Sequence, residues 1–204
     1  MTPSRRATQS HTGLTGTSQS HTGTTGASGS RSTGWYPDSV PQVHLVHHPF
    51  PPLYNEESEL LILGSFPSVR SREQSFFYGH PQNRFWKVIA GIFHEDVPGG
   101  IDEKKALILD HHLALWDVIA ECEIIGSSDA SIRKAKPNDI SSILKGAPIR
   151  KIIVNGKTAE KLYIKHIEPV TGMKATVLPS TSPANAAWNL DRLMETWGPE
   201  ILAP

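Results

Sequence analysis

From residue 59 onward, short apolar runs that end in glycine, proline or a polar loop alternate with stretches of helical character. Glu59 to Leu63 is the clearest such run, bounded by Gly64 and Pro67. Too short for a core helix and flanked by chain breakers, it suits a parallel strand buried on both faces. Lys151 to Val154, closed by the turn Asn155-Gly156-Lys157, and Ala175 to Leu178 repeat the pattern, and Leu113 to Ile119 is a further strand candidate. Between them lie helix candidates from about Asn83 to Phe93, Asp102 to His112, Asn138 or Asp139 to Lys145, Thr158 to His166, and Asn185 to Trp197. The first of these carries Phe85, Ile89 and Ile92 or Phe93 on one face. Strands alternating with helices predict an α/β fold, a three-layer α/β/α domain around a short, mostly parallel four-stranded sheet. In such sheets ligands sit beyond the carboxyl ends of the strands. The loops 64–68, 155–157 and 179–185 all follow strands and so share that edge.

The N-terminal segment takes no part in this pattern. Met1 to Gly34 is Ser, Thr and Gly with scattered His and Gln, and repeats His11-Thr12-Gly13 as His21-Thr22-Gly23. It lacks the apolar area needed to offset the entropy of ordering, so residues 1–38 read as a disordered tail and 39–204 as a single domain. Like an organelle transit peptide it is free of acids, but it has no amphipathic apolar positions. The whole chain carries 20 basic and 20 acidic residues, which argues against a broad phosphate-binding face and leaves room for a local cationic groove. The single cysteine, Cys122, excludes an intramolecular disulfide and a four-cysteine iron–sulfur cluster. No apolar run reaches membrane-spanning length, so an intracellular chain with no membrane contact is expected, in the cytoplasm of a prokaryote or the nucleus or an organelle of a eukaryote.

P-loop, GxGxxG, Gly-x-Ser-x-Gly and HExxH motifs are all missing from the sequence. His44, His47 and His48 cluster, as do His111 and His112. Zinc sites want four ligands at suitable spacing and usually some cysteine, so these read as scattered surface histidines and no metal is expected.

Three segments together are more specific: the strand ending in Gly64-Ser65-Phe66-Pro67-Ser68, the turn His80-Pro81-Gln82-Asn83 opening a helix, and the late loop Pro179-Ser180-Thr181-Ser182-Pro183-Ala184-Asn185. They resemble the uracil-DNA glycosylase superfamily over roughly residues 49 to 200. The spelling is most similar to its hypoxanthine-DNA glycosylase branch, with the mismatch-specific uracil/thymine branch next. That resemblance implies a monofunctional, cofactor-free and metal-free enzyme, working as a monomer on DNA that contains a deaminated base. It would hydrolyse the N-glycosidic bond of a flipped base, hypoxanthine above uracil, and leave an abasic site. Two alternatives stand beside it: removal of uracil from mismatches, and a non-catalytic module for damaged or single-stranded DNA.

The same residues have simpler readings. Asn83 can cap the free N–H groups of the helix it opens; the resemblance makes it the group that positions water against the sugar C1′. His80 either assists the departing base or orients the loop. Phe66 stands where the uracil-removing branches carry Asp or Asn, and either packs in the core or lies against the base. Tyr78 is the stacking candidate, with Phe76 and Phe77 read as core. Asp117 fits helix capping or a salt bridge as well as it fits reading the N1–H of hypoxanthine. A backbone amide at Ser65 or Phe66 would serve O6, and Asp129 is a second acidic candidate. Lys157, Ser180, Thr181, Ser182 and Asn185 are DNA-binding candidates, with Pro183 or Ala184 as a small wedge. Leu178 replaces the histidine that often opens this loop in uracil-specific enzymes, so little leaving-group help is expected there. Phe85 and Trp86 read as core, Arg84 and Lys87 as facing solvent or phosphate.

Overall fold

A computed structural model describes residues 43–125 and 128–203. The tail expected at residues 1–38 lies outside them. The central sheet has the strand order β3-β2-β6-β7 and is parallel throughout: β2 (Leu60–Gly64), β3 (Leu113–Asp117), β6 (Lys151–Asn155) and β7 (Ala175–Leu178). All five residues of β2 are buried, because side chains alternate between two covered faces. Leu60 and Ile62 join Leu113, Leu115 and Ile153 on one face, under α2 (Phe85–Phe93), α3 (Ile101–Leu109) and α7 (Leu190–Leu202). Leu61 and Leu63 join Ala114, Ile152 and Val154 on the other, under α4 (Ser141–Gly146) and α5 (Lys157–His166). Trp197 and Phe85, both fully buried, lock α7 onto α2 with ring centroids 6.2 Å apart. The expected three-layer α/β/α arrangement is present.

A second sheet was not anticipated. The run Leu113 to Ile119 divides at Val118, where the chain leaves the central sheet and continues as β4 (Ile119–Ile124). β4 pairs antiparallel with β1 (His44–His47) and β5 (Arg133–Pro137). The proline-rich segment His44 to Tyr54, which reads as an extended lead-in, therefore contains a strand, and the sheet's outer face carries ion pairs of Glu121 and Glu123 with His47, Lys134 and Lys136. Two short helices, α1 (Val69–Gln74) and α6 (Glu168–Thr171), also lacked a periodic signal.

Two helix starts are corrected, those of α3 and α7, while α4 carries the cap expected from Asp139. Helix α3 begins before Asp102: the Glu103 carboxylate accepts the N–H groups of Gly99 and Gly100 and so supplies the acceptor expected from Asp102. The Asp139 side chain accepts the N–H of Ser141, and α4 starts there. The last helix starts at Leu190, five residues later than Asn185, because Asn189 Oδ1 accepts the Arg192 N–H and makes the cap. It also runs past Trp197 and through Pro199 to Leu202. The loop after β7 is correspondingly longer than the sequence suggested.

Candidate active site

Parallel pairing brings Gly64, Asp117, Asn155 and Leu178, the last residues of four strands, to one edge of the sheet. A pocket of about 470 Å³ opens above that edge, within the range of small-ligand sites. Gly64 to Ser68, Phe77, Tyr78, Asn83, Asp117, Asp129 and Asn155 line it, and Ser180 to Asn185 form one rim with Pro183 left out.

The floor is built around Asp117. Gly64 lies directly opposite it in the parallel register. A Cβ added at Gly64 would sit 2.2 Å from Asp117 Oδ1, so only glycine leaves space for the carboxylate, while the Tyr78 hydroxyl lies at an ordinary contact distance of 3.5 Å. Asp117 Oδ2 accepts a 2.8 Å hydrogen bond from His48 Nε2, and the two side chains are 8 % and 3 % exposed. His48 thus departs from the surface reading given to the histidines, whereas His44 and His47 do lie at the surface. Its placement follows from β1: pairing with β4 carries the chain to a bond from His48 N–H to Ala120 O at 2.7 Å, which sets the ring behind β3. Nothing in the spelling His47-His48-Pro49 marks one histidine as buried.

Tyr78 stacks on Phe85 with ring centroids 3.8 Å apart and 18° between planes. Its backbone has φ 51, a left-handed conformation that a bulky residue holds only when its surroundings dictate it. The hydroxyl is buried beside the Asn155 side chain, without a well-aligned hydrogen bond to it. Burial, and then the nearby Asp117 carboxylate, push the phenol well above its ordinary range, so it stays protonated as a donor. Phe66 is buried, beneath the Arg72 guanidinium, and presents an apolar surface to the pocket. Beside it in the chain, Ser65 donates a 2.5 Å hydrogen bond to Asp129, which also lines the pocket. Asp129 keeps part of its surface open to water, yet protein atoms around its carboxyl thin the hydration and raise its pKa; Asp117 adds to the shift, while the Ser65 bond opposes it.

Asn83 lines the pocket and also caps the helix. Its Oδ1 accepts the Phe85 N–H at 3.0 Å, which fixes the amide orientation and leaves Nδ2 without a partner among the described residues. Capping and chemistry are therefore compatible at this residue. Its neighbour Arg84 departs from expectation. Instead of facing solvent, its guanidinium donates to the carbonyls of Thr181, Ser182, Asn185 and Trp188, and its N–H bonds Thr181 O. This clamp holds the 179–189 loop against the start of α2. Asn155 holds the same loop from the other side, exchanging two 3.0 Å bonds with Thr181.

Several expected contacts are revised by this packing. Thr181 is fully buried with its hydroxyl engaged by Asn155, so it braces the loop and cannot reach a phosphate. Asn185 Nδ2 is spent on Ser180 O. His80 does not line the pocket, and its Nδ1 accepts the Gln82 N–H. Lys157 is likewise outside the lining and pairs with Glu160 at 3.0 Å. Ser180 and Ser182 do reach the rim, with Pro183 exposed beside them. Among the described residues, no group of three or more His, Cys, Asp or Glu side chains is placed to hold a metal ion, and no helix is long and apolar enough to cross a membrane.

Fold and pocket together define an α/β domain that offers an aromatic-walled, acid-floored pocket at the carboxyl edge of a parallel sheet. The chain belongs to the uracil DNA glycosylase superfamily, whose sequence model matches residues 51–198. It is 34 % identical over 156 residues to a hypoxanthine DNA glycosylase from Methanosarcina acetivorans, covering 74 % of this chain and 96 % of that one. A protein of the same description from Methanosarcina barkeri is 32 % identical over 141 residues, covering 67 % and 86 %. The fold is similar to the NMR structure of a protein from Methanosarcina acetivorans described as a candidate uracil DNA glycosylase, with TM-score 0.64 at 32 % identity, covering 74 % of this chain and 94 % of that one.

Proposed function

We propose that the protein is a DNA glycosylase that releases hypoxanthine from deoxyinosine, acting as a monomer without metal or cofactor. The observation that carries this reading is the pinned carboxylate of Asp117. One oxygen is held by His48, and the other takes no hydrogen bond from the described residues and lies at the pocket floor over Gly64. A fixed acceptor in an aromatic pocket suits a ring N–H. Hypoxanthine offers N1–H there, whereas adenine brings a lone pair that would face acceptor to acceptor, a costly arrangement away from water. The names of the relatives point to the same base.

In this reading the nucleotide leaves the stack and its base enters between Tyr78 and Phe66. The C1′–N9 bond breaks with its electron pair going to the purine. A water oxygen bonds C1′, and its proton passes to the released base. Asn83 is the residue assigned to hold that water, through its free Nδ2. A neutral amide is a poor base, so acceleration comes from orientation and from groups that favour the departing charge. The Tyr78 hydroxyl, protonated and only weakly engaged by Asn155, is the donor assigned to the departing base. Ser180, Ser182 and the exposed tip at Pro183 and Ala184 meet the DNA backbone. A duplex carrying a single deoxyinosine tests the proposal: free hypoxanthine should appear in EDTA, with uracil released more slowly and adenine not at all. Binding without base release would favour the non-catalytic alternative.

A further inference from the structure

Resting on the assignment of Asp117 as the base reader, we infer that His48 is a positioning residue for the reaction, selecting which oxygen of that carboxylate meets the base. His48 precedes the first strand of the central sheet and touches none of the pocket space; it is absent from the lining. Three rings enclose it, Phe50 at 4.5 Å and Phe66 and Trp116 each at 6.2 Å between centroids. Packing alone would be met better by a phenyl ring. The imidazole carries a penalty there, because Nδ1 is buried without any partner. What it supplies in return is the Nε2–H donor on Asp117 Oδ2 at 2.8 Å. That bond also sets the tautomer, with the proton on Nε2.

A carboxylate at the end of a strand is free to turn about its last torsion unless both oxygens are constrained. Here His48 holds Oδ2 from behind, and the bare backbone of Gly64 receives Oδ1. The dry aromatic surroundings strengthen the bond. Only Oδ1 is then left to accept the base N–H, at a fixed height over the floor. His48 therefore governs base release through Asp117, with no contact to the nucleotide.

The experiment is a double-mutant cycle with full-length protein on a deoxyinosine duplex, reading single-turnover base release and, separately, affinity for abasic DNA. His48→Asn withdraws the donor and should slow release about 10- to 100-fold, the scale of a misplaced contact. His48→Gln keeps a donor within reach and should recover most of the rate. In the Asp117→Asn background, His48→Asn should have no further effect, and abasic-DNA affinity should hold throughout. If His48→Asn does not fold, His48→Phe combined with Asp117→Asn makes the same comparison, since no charge is left unpaired. Losses that multiply across the cycle, or equal losses for Gln and Asn, would overturn the inference. An Asp117→Asn protein with undiminished release would overturn the base-reading role itself and this inference with it. Loss in Asp117→Asn alone, with His48→Asn at the wild-type rate, overturns only the inference.

Discussion

Asp117 Oδ1 fills the place where a side chain at Gly64 would begin, 2.2 Å from the position of its Cβ. The glycine and the carboxylate are therefore one structural unit, formed by direct pairing of β2 with β3.

Gly64→Ala should push that carboxylate off its position and break its alignment with His48. We expect single-turnover release to fall by about 10²-fold, the usual consequence of displacing a reacting group by about 1 Å. Overpacking should also lower stability by about 1–3 kcal/mol. Kinetics alongside thermal melts check both; an unaltered rate would mean the carboxylate has slack.

Asn83→Ala separates capping from chemistry. Loss of the cap on Phe85 N–H should remove about 1 kcal/mol, a fall in Tm of roughly 2–4 °C for a domain of this size. Base release should drop by about 10²–10³-fold. A loss of rate no larger than the loss of folded protein would reduce Asn83 to a cap.

Arg84→Met should loosen the 179–189 loop without touching the pocket floor. Four carbonyls lose the guanidinium, three of them keeping only a backbone N–H, and lysine would not replace the fork. Hydrogen exchange should rise in that loop first, with affinity for abasic DNA falling more than the rate at saturation. Unchanged exchange there would show the loop to be held by its other bonds, from Asn155 to Thr181 and from the Trp197 indole N–H to Pro179 O.

Asp129 gives a pH signature of known sign. Its pKa is raised in the folded protein, so folding favours the protonated form. That contribution is complete below the unfolded value of about 3.9 and is lost as pH rises through the folded value. Asp129→Asn keeps an acceptor for Ser65 and removes the charge. It should melt above the wild type at pH 7 and coincide with it below about pH 4, as paired melts across pH would reveal. A constant offset would point to packing instead.

The layered fold was legible because β2, β6 and β7 are short apolar runs closed by Gly, Pro or Asn, and the period of α2 places Phe85 and Ile89 inward. Asn83 and the late loop were legible as a spelling. His48 and Arg84 were not. Each owes its role to partners distant in the chain, Asp117 for one and the loop carbonyls for the other, and a titratable or cationic side chain alone reads as surface. Thr181 failed for the converse reason: a hydroxyl in a polar loop looks available until Asn155 is seen to occupy it. The β4 strand was hidden inside a continuous apolar run, since only the pairing of β1 reveals where the chain changes sheets.

The Arg84 clamp joins residues 97 to 104 positions apart. During synthesis, the arginine leaves the ribosome long before the carbonyls it holds exist. The rim of the pocket cannot close until almost the whole domain has emerged. A nascent chain bearing β2, β3 and Asn83 already carries the residues of the acid floor and the amide proposed to hold water, but not the loop proposed to meet DNA. Long-range closure of this kind also slows folding. The order of translation thus acts as a safeguard, keeping a potential base-removing centre inert until its last segment is in place.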